Sequence, residues 1–318
     1  MKVLFVCDAG AAVGGGHVMR CLTLARALRA QGAEVAFVRT PDTESILARF
    51  APDVALAEDT TGGDLVVLDS YRMDAARESE WRAKAMRLAV LDDLARPHEA
   101  DLVLDPSFGR GESDYAAPVV LAGPAYALVR PEFAARRGTA LDRRGEPARR
   151  CLVSLGLTDV GGITGRVAEA LAGSGLTLDV VVGAGARSLP TLEAMAARGA
   201  VTLHIDTTDM AGLIERADIC VGAGGSSVWE RACLGLPTVT LILADNQRDM
   251  AMKLDEAGAT LALDARWPGL ERRLAEAVAR LVEDDGLRSR LSATSAALCD
   301  GLGAERAASA LMALCLDR

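Results

Sequence analysis

The strongest constraint on this chain is its rhythm. Apolar runs of four to six residues alternate with longer stretches in which apolar residues recur at helical spacing. Such alternation marks βαβ units and a parallel sheet, because parallel neighbours need a crossover long enough to hold a helix. Strands are expected at residues 2–7, 34–38, 64–69, 88–91, 102–104 and 119–121, with helices at 17–30, 43–49 and 74–85. The rhythm restarts with strands at 151–155, 176–182, 201–204, 219–221 and 238–243 and a helix at 164–171. Each strand is almost continuously apolar, as it must be when helices cover both faces of the sheet. After Gly269 the chain reads as helix, with Leu270, Leu274, Val278 and Leu281 three to four apart.

Between the two runs, Arg136, Arg137 and Gly138 lead into an arginine-rich stretch at 141–149 with nothing to build a core, so residues 135–149 are expected to form a linker. A length of 318 residues is about twice a roughly 150-residue domain. The expected fold is α/β: two Rossmann-like doubly wound domains facing each other across a cleft. Residues 1–140 form the first and residues 150–318 the second, the latter ending in the helical tail.

The charge balance, 35 Lys and Arg against 44 Asp and Glu, gives −9, and there are only 3 Trp, 3 Tyr and 5 Phe. A nucleic-acid partner is therefore not expected, either through a basic footprint or through base stacking. A single nucleotide remains compatible, since backbone N–H groups can hold a diphosphate in an acidic protein. Seven scattered cysteines without a CxxC pair suit the reduced thiols of a cytoplasmic protein. The N-terminus is too short in apolar residues for a signal peptide, and no window approaches a membrane span. The expectation is a cytoplasmic protein with no membrane span, as a monomer or weak oligomer.

In such sheets ligands sit beyond the carboxyl ends of the strands, and two loops there carry chemistry. The first strand runs into Cys7-Asp8 and a loop that closes with Gly14-Gly15-Gly16 before His17. Consecutive glycines let backbone approach a ligand and leave helix N-terminal N–H groups free for an anion. The loop matches neither a Walker motif nor a well-formed GxGxxG. His17, at the mouth of the helix, would be held neutral by the positive helix end, the form a general base needs. A capping or loop histidine is the alternative. The second loop, Gly222 to Glu230, holds Gly224, Gly225, Ser226 and Ser227 as a phosphate nest and Glu230 as an acceptor for a ribose diol. A glycine-rich turn beside a solvated Glu is the alternative there.

The segments GGGHVMRCLTLARAL, VVLDSYRMD, AVLDDLARPHEADLVLD, GPAYALVRPEF and GAGGSSVWERACLGLPTVTLILADNQ resemble the UDP-sugar hydrolases of pseudaminic acid biosynthesis, relatives of GT-B glycosyltransferases such as MurG. The resemblance runs from Lys2 to about Gln247. It implies hydrolysis of UDP-2,4-diacetamido-2,4,6-trideoxy-β-L-altropyranose to UDP and the free sugar, by water attack at the anomeric carbon with inversion, without metal or other cofactor. The product would feed glycosylation of flagellin or a surface polysaccharide. By motif position, His17 resembles the general base. Asp8, Gly14, Gly15, Gly16, Tyr71, Gly156, Asp159, Asn246 and Gln247 resemble substrate contacts, and Gly224, Gly225, Ser226, Ser227 and Glu230 nucleotide contacts. The chain departs from the family at Val6-Cys7, where an Arg is usual, and at Leu155 to Leu157, where Gly-Gly is usual. Both departures bear on sugar specificity.

Asp92-Asp93 lacks DxD spacing, so a structural or substrate-shaping role is expected rather than metal binding. His98 and His204 have no Cys, Asp or second His at ligand spacing, so no metal site is expected. A glycosyltransferase, in which an acceptor hydroxyl replaces water at His17, and a non-catalytic nucleotide-sugar binder are the competing functions.

Overall fold

The computed structural model describes residues 1–10, 15–58 and 62–316. It divides into two compact units, Met1–Arg130 with Leu302–Arg318, and Pro131–Gly301. Gly14 lies outside the described residues.

Unit 1 runs β1 (Lys2–Cys7), α1 (Gly16–Ala30), β2 (Glu34–Val38), α2 (Pro41–Phe50), β3 (Ala55–Ala57), β4 (Gly63–Asp69), α3 (Ala75–Arg82), β5 (Ala85–Leu91), β6 (Leu102–Asp105) and β7 (Val119–Ala122). Its strands pair in parallel in the order β3-β2-β1-β4-β5-β6-β7. The continuous apolar runs now have a cause. Val3, Phe5, Leu65, Val67, Ala89 and Leu91 face one core, and Leu4, Val6, Val66, Leu68, Leu88 and Val90 face the other. Each such side chain contributes about 1.5–3 kcal/mol by leaving water.

Unit 2 runs α4 (Pro131–Asp142), β8 (Arg150–Ser154), α5 (Ile163–Leu171), β9 (Thr177–Val182), α6 (Leu189–Ala197), β10 (Thr202–Ile205), α7 (Met210–Arg216), β11 (Ile219–Ala223), α8 (Ser227–Cys233), β12 (Thr238–Ile242), α9 (Arg248–Glu256), β13 (Leu261–Asp264), α10 (Leu270–Glu283) and α11 (Asp285–Leu298). Its parallel sheet is ordered β10-β9-β8-β11-β12-β13. In each sheet the order reverses once, between β1 and β4 and between β8 and β11. Those switch points open the crevices where doubly wound sheets bind ligands.

Two boundaries differ from the sequence expectation. Residues 135–149 are not a solvated linker, because their arginines cap helices of unit 2. Arg137 donates to the carbonyls of Ala296 and Cys299 at the end of α11 and to that of Cys233 at the end of α8. Arg144 is buried, at 8% exposure, and donates to Ile214, Ala217 and Leu234 carbonyls. Charge content alone could not show that these guanidiniums satisfy helix C-termini. Arg144→Leu should therefore lower stability by about 2–4 kcal/mol, as three buried carbonyls lose their donors; urea unfolding measures it, and an unchanged midpoint would refute the capping role. The tail also divides. Its last helix, α12 (Gly303–Leu316), belongs to unit 1, where Ala307, Ala308 and Leu311 join Val18, Leu22 and Leu28 in the core. Helical periodicity shows that a stripe is apolar, not which sheet it will meet.

Candidate active site

The switch point of unit 1 gathers a charged cluster. Register sets Cys7 of β1 beside Asp69 of β4, so both strands end level, and α1 begins one residue before His17. His17 is 4% exposed, and its Nδ1 lies 2.6 Å from Oδ1 of the fully buried Asp69. Arg20, one helical turn further on, donates to the same carboxylate through Nε and Nη2, each at 2.6 Å, and through Nη1 to Asp93 Oδ2 at 2.9 Å. Tyr71 completes the group: its hydroxyl donates to Asp93 at 2.9 Å and its ring meets the His17 ring edge-on at 4.5 Å.

The electrostatics favour an ionised Asp69. Burial would raise its carboxyl, but the Arg20 charge and hydrogen bonds, with His17, more than offset this and hold it well below the usual carboxylate range. An ionised acceptor at Nδ1 places the imidazole proton there and leaves Nε2 as the basic nitrogen. The sequence reading placed His17 at this loop and gave Asp92-Asp93 a structural or substrate-shaping role, but missed Asp69 and Arg20. The i, i+3 spacing of His17 and Arg20, and the Asp closing VVLDS, were the available signals.

Asp8, 5% exposed, does not stand open in this structure. Its Oδ2 accepts from Ser70 Oγ at 2.9 Å and Tyr71 N at 3.1 Å, and its Oδ1 from Arg72 Nε and Nη2 at 3.2 and 2.8 Å. It shapes the turn that carries Tyr71. Gly15 and Gly16 stand at the start of α1, with Gly16 exposed.

At the switch point of unit 2, Gly224 and Gly225 follow β11, Ser226 is exposed, and Ser227 and Glu230 lie in the first turn of α8. Arg231, absent from the sequence reading, fixes this loop. It is 2% exposed and donates to Ser227 Oγ at 2.9 Å and to Ala223 O at 2.7 Å. A Cβ on Gly222 would lie 2.5 Å from the Arg231 Cζ, so Gly222 makes room for that guanidinium. Gln247 accepts from Leu243 N at 2.9 Å, bracing its own loop, while Asn246 is exposed. Gly156, with φ of 100°, takes a conformation that favours glycine. Asp159 is 1% exposed and accepts from Thr164 N, Ser188 N and Ser188 Oγ at 2.9, 2.7 and 2.5 Å, which joins the loops after β8 and β9.

Asp92 is built into unit 1 by bonds from Leu94 N, Arg96 N, Arg96 Nε and the Tyr115 hydroxyl. His98 lies between carboxylates, 2.7 Å from Glu78 Oε1 and, in a longer charge contact, 3.5 Å from Asp92 Oδ1. Burial would lower its pKa, but Asp92 and Glu78 more than offset this and raise it to about 9. Folded His98 thus keeps its proton beyond the ordinary 6.5. Its contribution, about 3 kcal/mol, is complete below pH 6.5 and is lost as pH rises through about 9. Urea unfolding at pH 6 and pH 9.5 should show that loss in the wild type and a smaller one in His98→Gln; equal losses would contradict the buried ion pair. Among the described residues, no group of three or more His, Cys, Asp or Glu could hold a metal ion, and no helix is long and apolar enough to cross a membrane.

No protein-family model matches the chain. It is 25% identical to the spore coat polysaccharide biosynthesis protein SpsG of Bacillus subtilis, over 99% of this chain and 98% of that protein. It is 23% identical to the UDP-2,4-diacetamido-2,4,6-trideoxy-β-L-altropyranose hydrolase of Campylobacter jejuni, over 81% of this chain and 97% of the relative. Among solved structures it is similar to MurG of Acinetobacter baumannii, with a TM-score of 0.71 at 16% identity, covering 98% of this chain and 99% of that one. The fold class is that of the GT-B glycosyltransferases.

Proposed function

We propose that this protein is an enzyme of nucleotide-sugar metabolism that hydrolyses a UDP-sugar, with UDP-2,4-diacetamido-2,4,6-trideoxy-β-L-altropyranose as its substrate. The observation that carries the reading is the buried Asp69–His17 pair, held by Arg20 at the switch point of unit 1. His17 Nε2 takes a proton from water, the water attacks the anomeric carbon with inversion, and the C1–O bond to UDP breaks with its electron pair leaving on the diphosphate. The glycine-serine loop at Gly224, Gly225, Ser226 and Ser227, with Glu230 for the ribose, binds UDP and stabilises its growing charge. The Gly15–Gly16 loop, Tyr71 and Asn246 contact the sugar; Asp8, Gly156, Asp159 and Gln247 shape the loops around it. The scheme calls on no metal or cofactor. The product serves surface glycan assembly, such as flagellin glycosylation.

Likeness of fold to MurG favours a second reading, a glycosyltransferase in which an acceptor hydroxyl replaces water. The two readings differ in one measurable respect. A hydrolase releases UDP from purified components without an acceptor, and a transferase releases it only when one is added.

A further inference from the structure

We propose that Asp93 is a sugar-binding carboxylate whose Oδ1 accepts a hydrogen bond from a hydroxyl or amide N–H of the substrate's pyranose. This rests on reading the His17 cluster as the site of a nucleotide sugar. Asp93 lies just beyond β5, next to the strand that carries Asp69. Its two oxygens are used unequally. Oδ2 accepts from Arg20 Nη1 and from the Tyr71 hydroxyl, both at 2.9 Å. Oδ1 is buried and has no hydrogen-bond partner among the described residues, although 21% of the side chain reaches the surface. Neighbouring Asp92 shows the contrast, because both its oxygens are engaged by the protein.

A buried carboxylate oxygen without a donor is costly in a fold and calls for a reason. A ligand donor supplies one. Asp93 meets only donors in the protein, Arg20 and the Tyr71 hydroxyl, and acts as an acceptor. It therefore suits a neutral sugar that presents an O–H or N–H, and it rejects a carboxylated sugar at the same point. Arg20 grips Asp69 and Asp93 together, so the sugar contact shares its anchor with the carboxylate that orients His17.

The Asp93→Asn variant is a sharp test because its geometry is forced. The amide must keep its oxygen towards the two donors, Arg20 and Tyr71, so its NH2 replaces Oδ1 and turns an acceptor into a donor. Calorimetry with UDP and with the UDP-diacetamido sugar, in a His17→Leu background to prevent turnover, reads the sugar's share of binding. The expected result is that the UDP-sugar binds about tenfold or more tightly than UDP in His17→Leu, and that adding Asp93→Asn brings this ratio near one with UDP affinity unchanged. An unchanged ratio, equal binding of UDP and UDP-sugar before the substitution, or parallel loss of both would overturn the proposal. A sugar-dependent gain that Asp93→Asn removes, without UDP release by the wild type, would instead refute the hydrolase reading and leave this one standing.

Discussion

His17→Leu should release UDP about 10²–10⁴ times more slowly than the wild type, the share a positioned general base contributes. The substitution removes the basic Nε2 and leaves Asp69 bonded to Arg20, so the melting temperature should stay close to that of the wild type. Initial rates of UDP release and a thermal melt on the same preparations check both halves. Wild-type turnover in the variant would show that the proton goes elsewhere.

Asp69→Asn should be nearly as severe in rate and more severe in stability. Both Asp69 oxygens face donors: His17 Nδ1 and Arg20 Nη2 at Oδ1, and Arg20 Nε at Oδ2. An amide has only one accepting end. If its NH2 turns to His17, Nδ1 must accept and the proton moves to Nε2, which disables the base. If it turns the other way it faces Arg20 Nε, and in either orientation a guanidinium only 11% exposed loses a charged partner. The expected fall in kcat is about 10²-fold or more, with a stability loss of about 3 kcal/mol. With only 3 histidines, nitrogen-resolved NMR can follow the His17 tautomer directly. Unchanged kcat and an unchanged tautomer would together remove Asp69 from the mechanism.

The βα rhythm made most strands legible, and with them the loops at their carboxyl ends, because strands covered on two faces must be continuously apolar; the strand order, and so the switch points, it did not show. The short edge strands Ala55–Ala57 and Leu261–Asp264 carried too little pattern to be seen. His17 and the Gly224–Glu230 loop were legible through local motifs. The partners that organise them were not, because they arise from pairing between distant segments: Asp69 meets His17 across 52 positions. Arg231 escaped for another reason. One arginine in a helical stretch reads as solvated surface until Gly222 is seen to leave space for it. The arginines of residues 136–149 were misread in the same way, as charge without knowledge of the carbonyls they cap.

The most direct test of the central claim is turnover of the UDP-diacetamido sugar by purified wild-type protein in H₂¹⁸O, with no acceptor present and the products weighed by mass spectrometry. Water attack at the anomeric carbon predicts UDP release, with UDP carrying no ¹⁸O and the label entering the free sugar. Label in UDP, or no UDP until an acceptor is added, would contradict it.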